Sequence, residues 1–194
     1  WGDAILGRLE GMFGLAIWDR RRRRLLVARD PLGIKPLYYY QDATRFAFAS
    51  EAKALLRVPG IEARIDAAAL AQYLSVGYVC APNALFAGMR KLPPGHRLVV
   101  EEGRVDIRAY WSLKPEIDGN RTEKAWIDEL RSEMERAVRE QMVSDVPIGA
   151  FLSGGIDSSA VVAFMSRHTD QPVRTYSIGF AGSSGAALYN ELPH

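Results

Sequence analysis

Over the first fifty residues the apolar positions come in short bursts rather than at helical spacing. Met12 to Trp18 carries Phe, Leu, Ile and Trp, interrupted by Gly14. Leu25–Ala28, Leu37–Tyr40 and Phe46–Ala49 follow. Arg20 to Arg24, Asp30-Pro31-Leu32-Gly33 and Gln41-Asp42 punctuate them, which predicts four short strands of an antiparallel sheet. Ser50 to Leu56 predicts a short helix capped by Ser50 and stopped at Pro59-Gly60. Asp66 is placed to cap an alanine-rich helix from Ala67 to about Val76, with Gly77 ending it. Residues 78–97, with Pro82, Pro93, Pro94 and Gly95, predict a loop. Residues 97–110 predict a hairpin turning at Glu102-Gly103. The polar stretch 112–120, with Pro115 and Gly119, predicts a linker.

The period then changes. From Ala125 the apolar positions are Ile127, Leu130, Met134, Val138 and Met142, which is helical spacing. Asn120 and Glu123 suit a capping box. Asp128–Arg131, Glu133–Arg136 and Glu135–Arg139 are spaced to pair on the wet face. Val146 to Leu152 predicts a buried strand beginning near Pro147, and Val173 to Phe180 another. Between them Ser158 to Arg167 predicts a helix apolar on nearly every side, one that other elements should cover. Strand, helix and strand at this spacing make a βαβ unit and a parallel sheet. Ahead of Leu192-Pro193-His194 the chain reads like the start of a helix. The expected fold class is therefore α+β followed by α/β.

Composition narrows the class without naming a function. The 194 residues hold 25 Lys and Arg against 23 Asp and Glu, three His and one Cys, with 48% hydrophobic residues. That is the balance of an ordinary globular protein, which sets intrinsic disorder and fibrous classes aside. A net charge of +2 gives no footprint for nucleic acid or an anionic membrane, and no apolar run suits a membrane helix. A single Cys allows no intramolecular disulfide and suits a reducing compartment. Trp1-Gly2-Asp3 is neither an initiator Met nor a signal peptide, so a piece of a longer protein is expected.

The chemistry concentrates in Ser153-Gly154-Gly155-Ile156-Asp157-Ser158-Ser159, between a predicted strand and a predicted helix. Two glycines permit backbone angles that turn successive N–H groups toward one point. A helix N-terminus adds unpaired donors and partial positive charge, and three serines add hydroxyls. Asp157 is out of place beside phosphate unless Mg²⁺ lies between them. The Gly-Lys-Ser/Thr ending of a Walker A loop is absent. The bland alternative is a serine-glycine turn that merely caps a helix.

Ser153 to Ser158 resembles the Ser-Gly-Gly-x-Asp-Ser pyrophosphate loop of ATP pyrophosphatases. Gly11–Asp19, Ala28–Tyr39 and Phe48–Leu55 look like the second half of a class II glutaminase domain. Lys91-Leu92-Pro93-Pro94-Gly95-His96 and Ser144–Leu152 continue the match. Together these segments resemble the glutamine-hydrolysing asparagine synthetase family over nearly the whole chain.

The resemblance implies the latter part of an αββα N-terminal-nucleophile glutaminase domain at 1–111 and a linker at 112–120. At 121–194 it implies the first strand-loop-helix-strand unit of a parallel-sheet ATP-pyrophosphatase domain. It implies ATP and Mg²⁺ as cofactors, with glutamine, aspartate and ATP as small-molecule substrates. No nucleic acid or membrane partner is implied, and the setting would be a cytoplasmic enzyme, dimeric at full length. Leu152 and Ile178 would meet the adenine or ribose end through their backbone. Ser153, Gly154, Gly155 and Ser158 would hold pyrophosphate, and Asp157 a Mg²⁺.

The family's glutaminase attacks with an N-terminal Cys, whereas position 1 here is Trp. Its remaining glutamine-binding segments and its second ATP loop are expected outside these residues. No catalytic residue of either centre is therefore assigned. Relatives that adenylate a carboxylate for β-lactam synthesis or for amidating a cell-surface sugar share the same loop. The isolated piece is expected to be inactive, with an apolar sheet edge that favours aggregation.

The remaining residues carry blander readings. Cys80 lacks an evident base and suits a half-buried structural thiol. Arg20 to Arg24 suits a solvated hairpin turn rather than a nucleic-acid patch. Arg29-Asp30 suits either an interdomain ion pair or a local turn clamp. Tyr38-Tyr39-Tyr40 suits sheet packing, and His96 and His168 lack zinc-ligand spacing.

Overall fold

The structure, a computed structural model, describes residues 1–179. Phe180, expected to end a strand, and the helix-like stretch ahead of Pro193 lie outside those residues. The chain divides into two compact units, Trp1–Pro115 and Glu116–His194.

The first unit is built on seven strands: β1 (Gly14–Asp19), β2 (Arg24–Arg29), β3 (Tyr38–Gln41), β4 (Phe46–Ala49), β5 (Met89–Lys91), β6 (His96–Glu101) and β7 (Arg104–Ala109). A 3₁₀ helix precedes them at Gly2–Arg8, and α1 (Ala52–Leu55) and α2 (Ala67–Val76) lie between β4 and β5. The four early strands do not share one sheet, contrary to the sequence expectation. They divide into β1-β2-β6-β7 and β4-β3-β5, both antiparallel. β2 pairs with β6 instead of β3, and β3 takes β5 as its second neighbour. β5 lies inside the expected loop, and pairing with β3 is what makes Met89–Lys91 a strand.

The two sheets pack on each other through Val27, Leu37, Tyr39, Leu92 and Leu98. Strand alternation sends Leu26, Ala28 and Val99 to the opposite face, where Leu6 of the 3₁₀ helix covers them. The outer side of the second sheet is covered by Leu55 of α1 with Ile61 and Ala84, packed against Met89. β2 is thus apolar on both faces, and its run Leu25–Ala28 reads as continuous rather than alternating.

The connection between β2 and β3 explains the split. Arg29 donates through Nε to the Lys35 carbonyl at 2.8 Å, through Nη1 to Leu92 at 2.8 Å and through Nη2 to Gly33 at 2.5 Å. Asp30, only 1% exposed, accepts the N–H groups of Ile34 and Lys35 at 2.9 Å. Its carbonyl accepts from Gly33 and Gly95, and its own N–H donates to Phe13. Gly33 has φ +68°, and a side chain there would sit 2.8 Å from the Pro94 ring. The segment closes on itself, so β2 and β3 cannot meet as a hairpin.

Arg29-Asp30 is therefore a local clamp. Burial opposes ionisation of the Asp30 carboxyl, but the surrounding N–H donors from Lys35, Ile34, Gly33 and Leu32 outweigh it and lower its pKa. Burial lowers the pKa of Arg29. Tyr110 donates to the Arg29 carbonyl at 2.8 Å, and burial, with the Asp30 charge as a lesser cause, pushes its pKa to about 12.

Local signals hold elsewhere. Asp66 accepts from the Ala69 N–H at 2.9 Å, and Gly77 ends α2 at φ +81°. β6 and β7 turn at Glu102 and Gly103, both with positive φ, which suits a two-residue hairpin. Arg20–Arg24 is the β1–β2 turn, with Asp19 accepting the N–H groups of Arg21 and Arg22. The cap of α1 is Glu51 rather than Ser50, and no side chain bonds its N-terminus.

The second unit contains α3 (Glu123–Gln141), β8 (Gly149–Phe151), α4 (Ile156–Met165) and β9 (Arg174–Tyr176). Thr122, not Asn120, caps α3 by accepting the Ala125 N–H at 3.3 Å. Asn120 is exposed, and its backbone N–H donates to the Asp118 carboxylate. Glu133 pairs with Arg136 as expected, while Glu135 faces Arg167 and His168 rather than Arg139. β8 and β9 are parallel, with Phe151 opposite Tyr176, and α4 crosses between them. The expected buried strand 146–152 shortens to three residues and is exposed, Phe151 by 74%. Only Met165 of α4 is buried among the described residues. The apolar helix is thus less covered than its composition implied, because two strands shelter little of it.

Asp30→Ala is expected to destabilise the first unit by about 1–3 kcal/mol, since it removes the buried carboxylate that accepts two part-buried N–H groups. The Asp30 pKa is lowered on folding, so the carboxylate's contribution is present above the unfolded value of 3.8 and fades as pH falls through the folded value. Urea unfolding at neutral pH and near pH 3 measures both effects, and equal wild-type and variant midpoints at neutral pH would remove the clamp's importance.

Candidate phosphate-binding site

Ser153 leaves β8 at its C-terminal end, and the chain turns straight into α4. Gly154 makes the turn at φ +76°, a conformation that costs an L side chain. Gly155 returns to extended backbone and caps α4 without a side-chain bond. Helix α4 begins at Ile156 rather than Ser158, so Asp157 and Ser158 lie in its first turn.

The hydrogen bonding determines what this turn can do. Ser158 Oγ accepts the Ser153 N–H at 3.3 Å, lies 3.0 Å from Ser153 Oγ and reaches the Gly155 carbonyl at 3.1 Å. The first intrahelical bond runs from the Ser159 N–H to the Gly155 carbonyl at 3.1 Å. No acceptor among the described residues takes the N–H groups of Gly154, Gly155, Ile156, Asp157 or Ser158. These consecutive donors lie at the positive end of a ten-residue helix, an arrangement able to receive an anion. The serine hydroxyls brace the turn from one side and do not occupy those donors.

The sequence-predicted residues converge here. Leu152 through Gly155 form the exit of β8, and Asp157 and Ser158 the first turn of α4. Ile178 follows β9, whose partner β8 ends beside it. The Leu152 N–H donates to the Tyr176 carbonyl at 2.9 Å, and the Leu152 carbonyl accepts Ser177 Oγ at 2.6 Å. Sequence reading missed Ser177, whose role depends on the register between β8 and β9.

Asp157 is exposed, and among the described residues its carboxylate has no cationic partner. Nor does any group of three His, Cys, Asp or Glu gather among them to form a self-sufficient metal cage. One carboxylate beside a phosphate cradle does fit Mg²⁺, which takes few protein ligands and shares phosphate oxygens.

The other candidates resolve plainly. Cys80 is half-buried, and its N–H donates to the Gln72 side chain at 2.9 Å. Among the described residues no helix is long and apolar enough to cross a membrane.

Residues 1–111 match the family model described as a glutamine amidotransferase domain, and residues 129–194 the one described as asparagine synthase. Asparagine synthetase [glutamine-hydrolyzing] 3 of Bacillus subtilis is 36% identical over 93% of this chain and 30% of its own length. Putative asparagine synthetase [glutamine-hydrolyzing] 2 of Methanocaldococcus jannaschii is 37% identical over 100% of this chain and 37% of its own length. The chain thus spans about a third of the length of these curated relatives. A solved glutamine phosphoribosylpyrophosphate amidotransferase from B. subtilis overlays with a TM-score of 0.35 at 15% identity, covering 95% of this chain and 38% of that one.

Gly154→Ala forces a Cβ into the left-handed turn at a cost of roughly 1–2 kcal/mol. Affinity of the full-length protein for inorganic pyrophosphate, read by titration calorimetry, is expected to fall about tenfold. Unchanged affinity would show that the turn is dispensable to the cradle.

Proposed function

The chain belongs to the glutamine amidotransferase family across residues 1–111 and continues into an asparagine synthase segment, and we propose that it works within a glutamine-hydrolysing asparagine synthetase. The reaction uses ATP to join ammonia, released from glutamine, to the side-chain carboxylate of aspartate. The observation that carries this reading is the row of unbonded N–H groups from Gly154 to Ser158 at the tip of β8.

A carboxylate does not react with ammonia at neutral pH, because its oxygen is a poor leaving group. Attack of a carboxylate oxygen on the α-phosphorus of ATP breaks the bond to the bridging oxygen. Pyrophosphate leaves with that electron pair, and an acyl-adenylate remains. Ammonia then adds to the acyl carbon, loses a proton and expels AMP. Charge builds on the departing pyrophosphate during the first step, so donors fixed there in advance stabilise the transition state more than the ground state.

Ser153, Gly154, Gly155 and Ser158 are the groups we assign to that pyrophosphate. Gly154 and Gly155 act through N–H groups that no acceptor among the described residues takes, and Ser153 and Ser158 through the hydroxyl pair that braces the turn. Leu152 and Ile178, at the ends of adjacent parallel strands, are assigned to the adenine or ribose end through their backbone. This follows the general tendency of parallel sheets to bind ligands beyond the carboxyl ends of their strands. Asp157 is assigned to Mg²⁺, which when bound neutralises phosphate charge and holds the phosphates in line.

Residues 1–111 are read as the latter part of an αββα N-terminal-nucleophile glutaminase, 112–120 as a linker and 121–194 as the start of an ATP-pyrophosphatase domain. Two antiparallel sheets packed face to face, with helical cover on both outer sides, support the first assignment. The parallel β8-α4-β9 unit supports the last. Glutamine hydrolysis is not assigned to Cys80, a half-buried thiol in the loop after α2. A cytoplasmic homodimer belongs to the same reading, carried by the family resemblance.

In the full-length protein, Asp157→Ala is expected to lower aspartate-dependent pyrophosphate release by on the order of a hundredfold or more, the loss of several kcal/mol of charge stabilisation. Ammonia release from glutamine should persist. A coupled pyrophosphate assay beside a glutamate assay separates the two, and unchanged pyrophosphate release would overturn the role of Asp157.

A further inference from the structure

The end of the β8–β9 ladder departs from the pattern of a parallel pair. Phe151 is opposite Tyr176, so Leu152 is opposite Ser177 in register. The Leu152 N–H makes the bond that register requires, donating to the Tyr176 carbonyl at 2.9 Å. The next bond of an evenly spaced parallel ladder would run from the Ile178 N–H to the Leu152 carbonyl. That bond is not made. Ser177 Oγ donates to the Leu152 carbonyl instead, at 2.6 Å, and no acceptor among the described residues takes the Ile178 N–H.

We propose that Ser177 is a positioning residue for the nucleotide: its hydroxyl replaces the last ladder bond, stops β8 and β9 from zipping further, and leaves the Ile178 N–H free for a ligand beside the cradle. The proposal rests on the nucleotide reading given above. A backbone donor at a strand end satisfies a buried acceptor only if no neighbouring carbonyl claims it first, and here the neighbouring carbonyl is Leu152. The Ser177 hydroxyl occupies a lone pair of that oxygen at a short distance. It also fixes where the Leu152 carbonyl points, one residue ahead of the Ser153–Ser158 turn. Ser177 thus sets the geometry at both proposed adenosine contacts without itself being assigned a contact.

Removing the hydroxyl has an unusual consequence. The Ile178 N–H can then close on the Leu152 carbonyl, lengthening the sheet by one bond. Folding is expected to be unharmed while nucleotide binding weakens, the reverse of what a purely structural hydrogen bond predicts.

Ser177→Val and Ser177→Thr separate these cases, because both are β-branched and suit a strand, and only threonine keeps the hydroxyl. In the full-length protein, Ser177→Val is expected to raise the KM for ATP in aspartate-dependent pyrophosphate release about tenfold, with the effect in KM rather than kcat. Its thermal midpoint should be at or above wild type, and Ser177→Thr should lie within about twofold of wild-type KM. A Ser177→Val enzyme with wild-type KM for ATP, or one whose loss falls in kcat or in the thermal midpoint, overturns the proposal. If Asp157→Ala still suppresses pyrophosphate release in that event, only the role of Ser177 falls. Absence of ATP-dependent pyrophosphate release from the wild-type protein removes the nucleotide reading and this proposal together.

Discussion

Buried backbone groups must find hydrogen-bond partners, and where β2 leaves its sheet a single dipeptide supplies them. Arg29 sends three donors to the carbonyls of Gly33, Lys35 and Leu92, while Asp30 collects the N–H groups of Ile34 and Lys35. The charges matter less as a pair than as a set of strong donors and acceptors for main chain that a protein interior would otherwise leave unpaired. Once the 29–36 segment is closed in this way, β2 is free to take β6 and β3 to take β5. Two sheets form where one was expected, and Val27, Leu37, Tyr39, Leu92 and Leu98 become the layer between them. Glycine is needed at Gly33 for a steric reason, since the Pro94 ring fills the place of a Cβ.

The second unit works by leaving groups unsatisfied where the first satisfies them. β8 stops after three residues, the chain turns at Gly154, and α4 starts before its first N–H groups have acceptors. Ser153 and Ser158 stiffen the turn with their hydroxyls. The short Ser177–Leu152 bond stops the neighbouring ladder at the same level. Unmade backbone bonds therefore collect at one end of a small parallel sheet, where they favour an anionic ligand.

Such a cradle suits a reaction whose difficulty lies in the leaving group. Amide formation from a carboxylate needs an oxygen that departs readily, and adenylation provides one by expelling pyrophosphate. In the proposed function, donors fixed beside the departing pyrophosphate would act on charge as it develops, with little reorganisation at the moment of reaction. The proposed function joins an ammonia source to a carboxylate activator, in keeping with a glutamine amidotransferase match at residues 1–111 followed by an asparagine synthase match at 129–194.

Much of this was legible in the residues alone. Asp66 and Gly77 bounded α2, Glu102-Gly103 made the β6–β7 turn, and Ser153 to Ser158 marked the strand-to-helix turn. Each is a local signal in which side chain and backbone lie within a few residues of each other. The cap of α3 was misplaced by two residues, because Asn120 and Thr122 both suit a cap and only the path of the chain chooses. The sequence by itself determined most of the elements and the composition of the loop, since these depend on periodicity, caps and glycine. Only the tertiary structure decided the partition into two sheets, the strand character of Met89–Lys91 and the bond between Ser177 and Leu152. All three depend on which distant main-chain groups meet, and no pattern along the chain encodes the register in which two separated strands lie side by side.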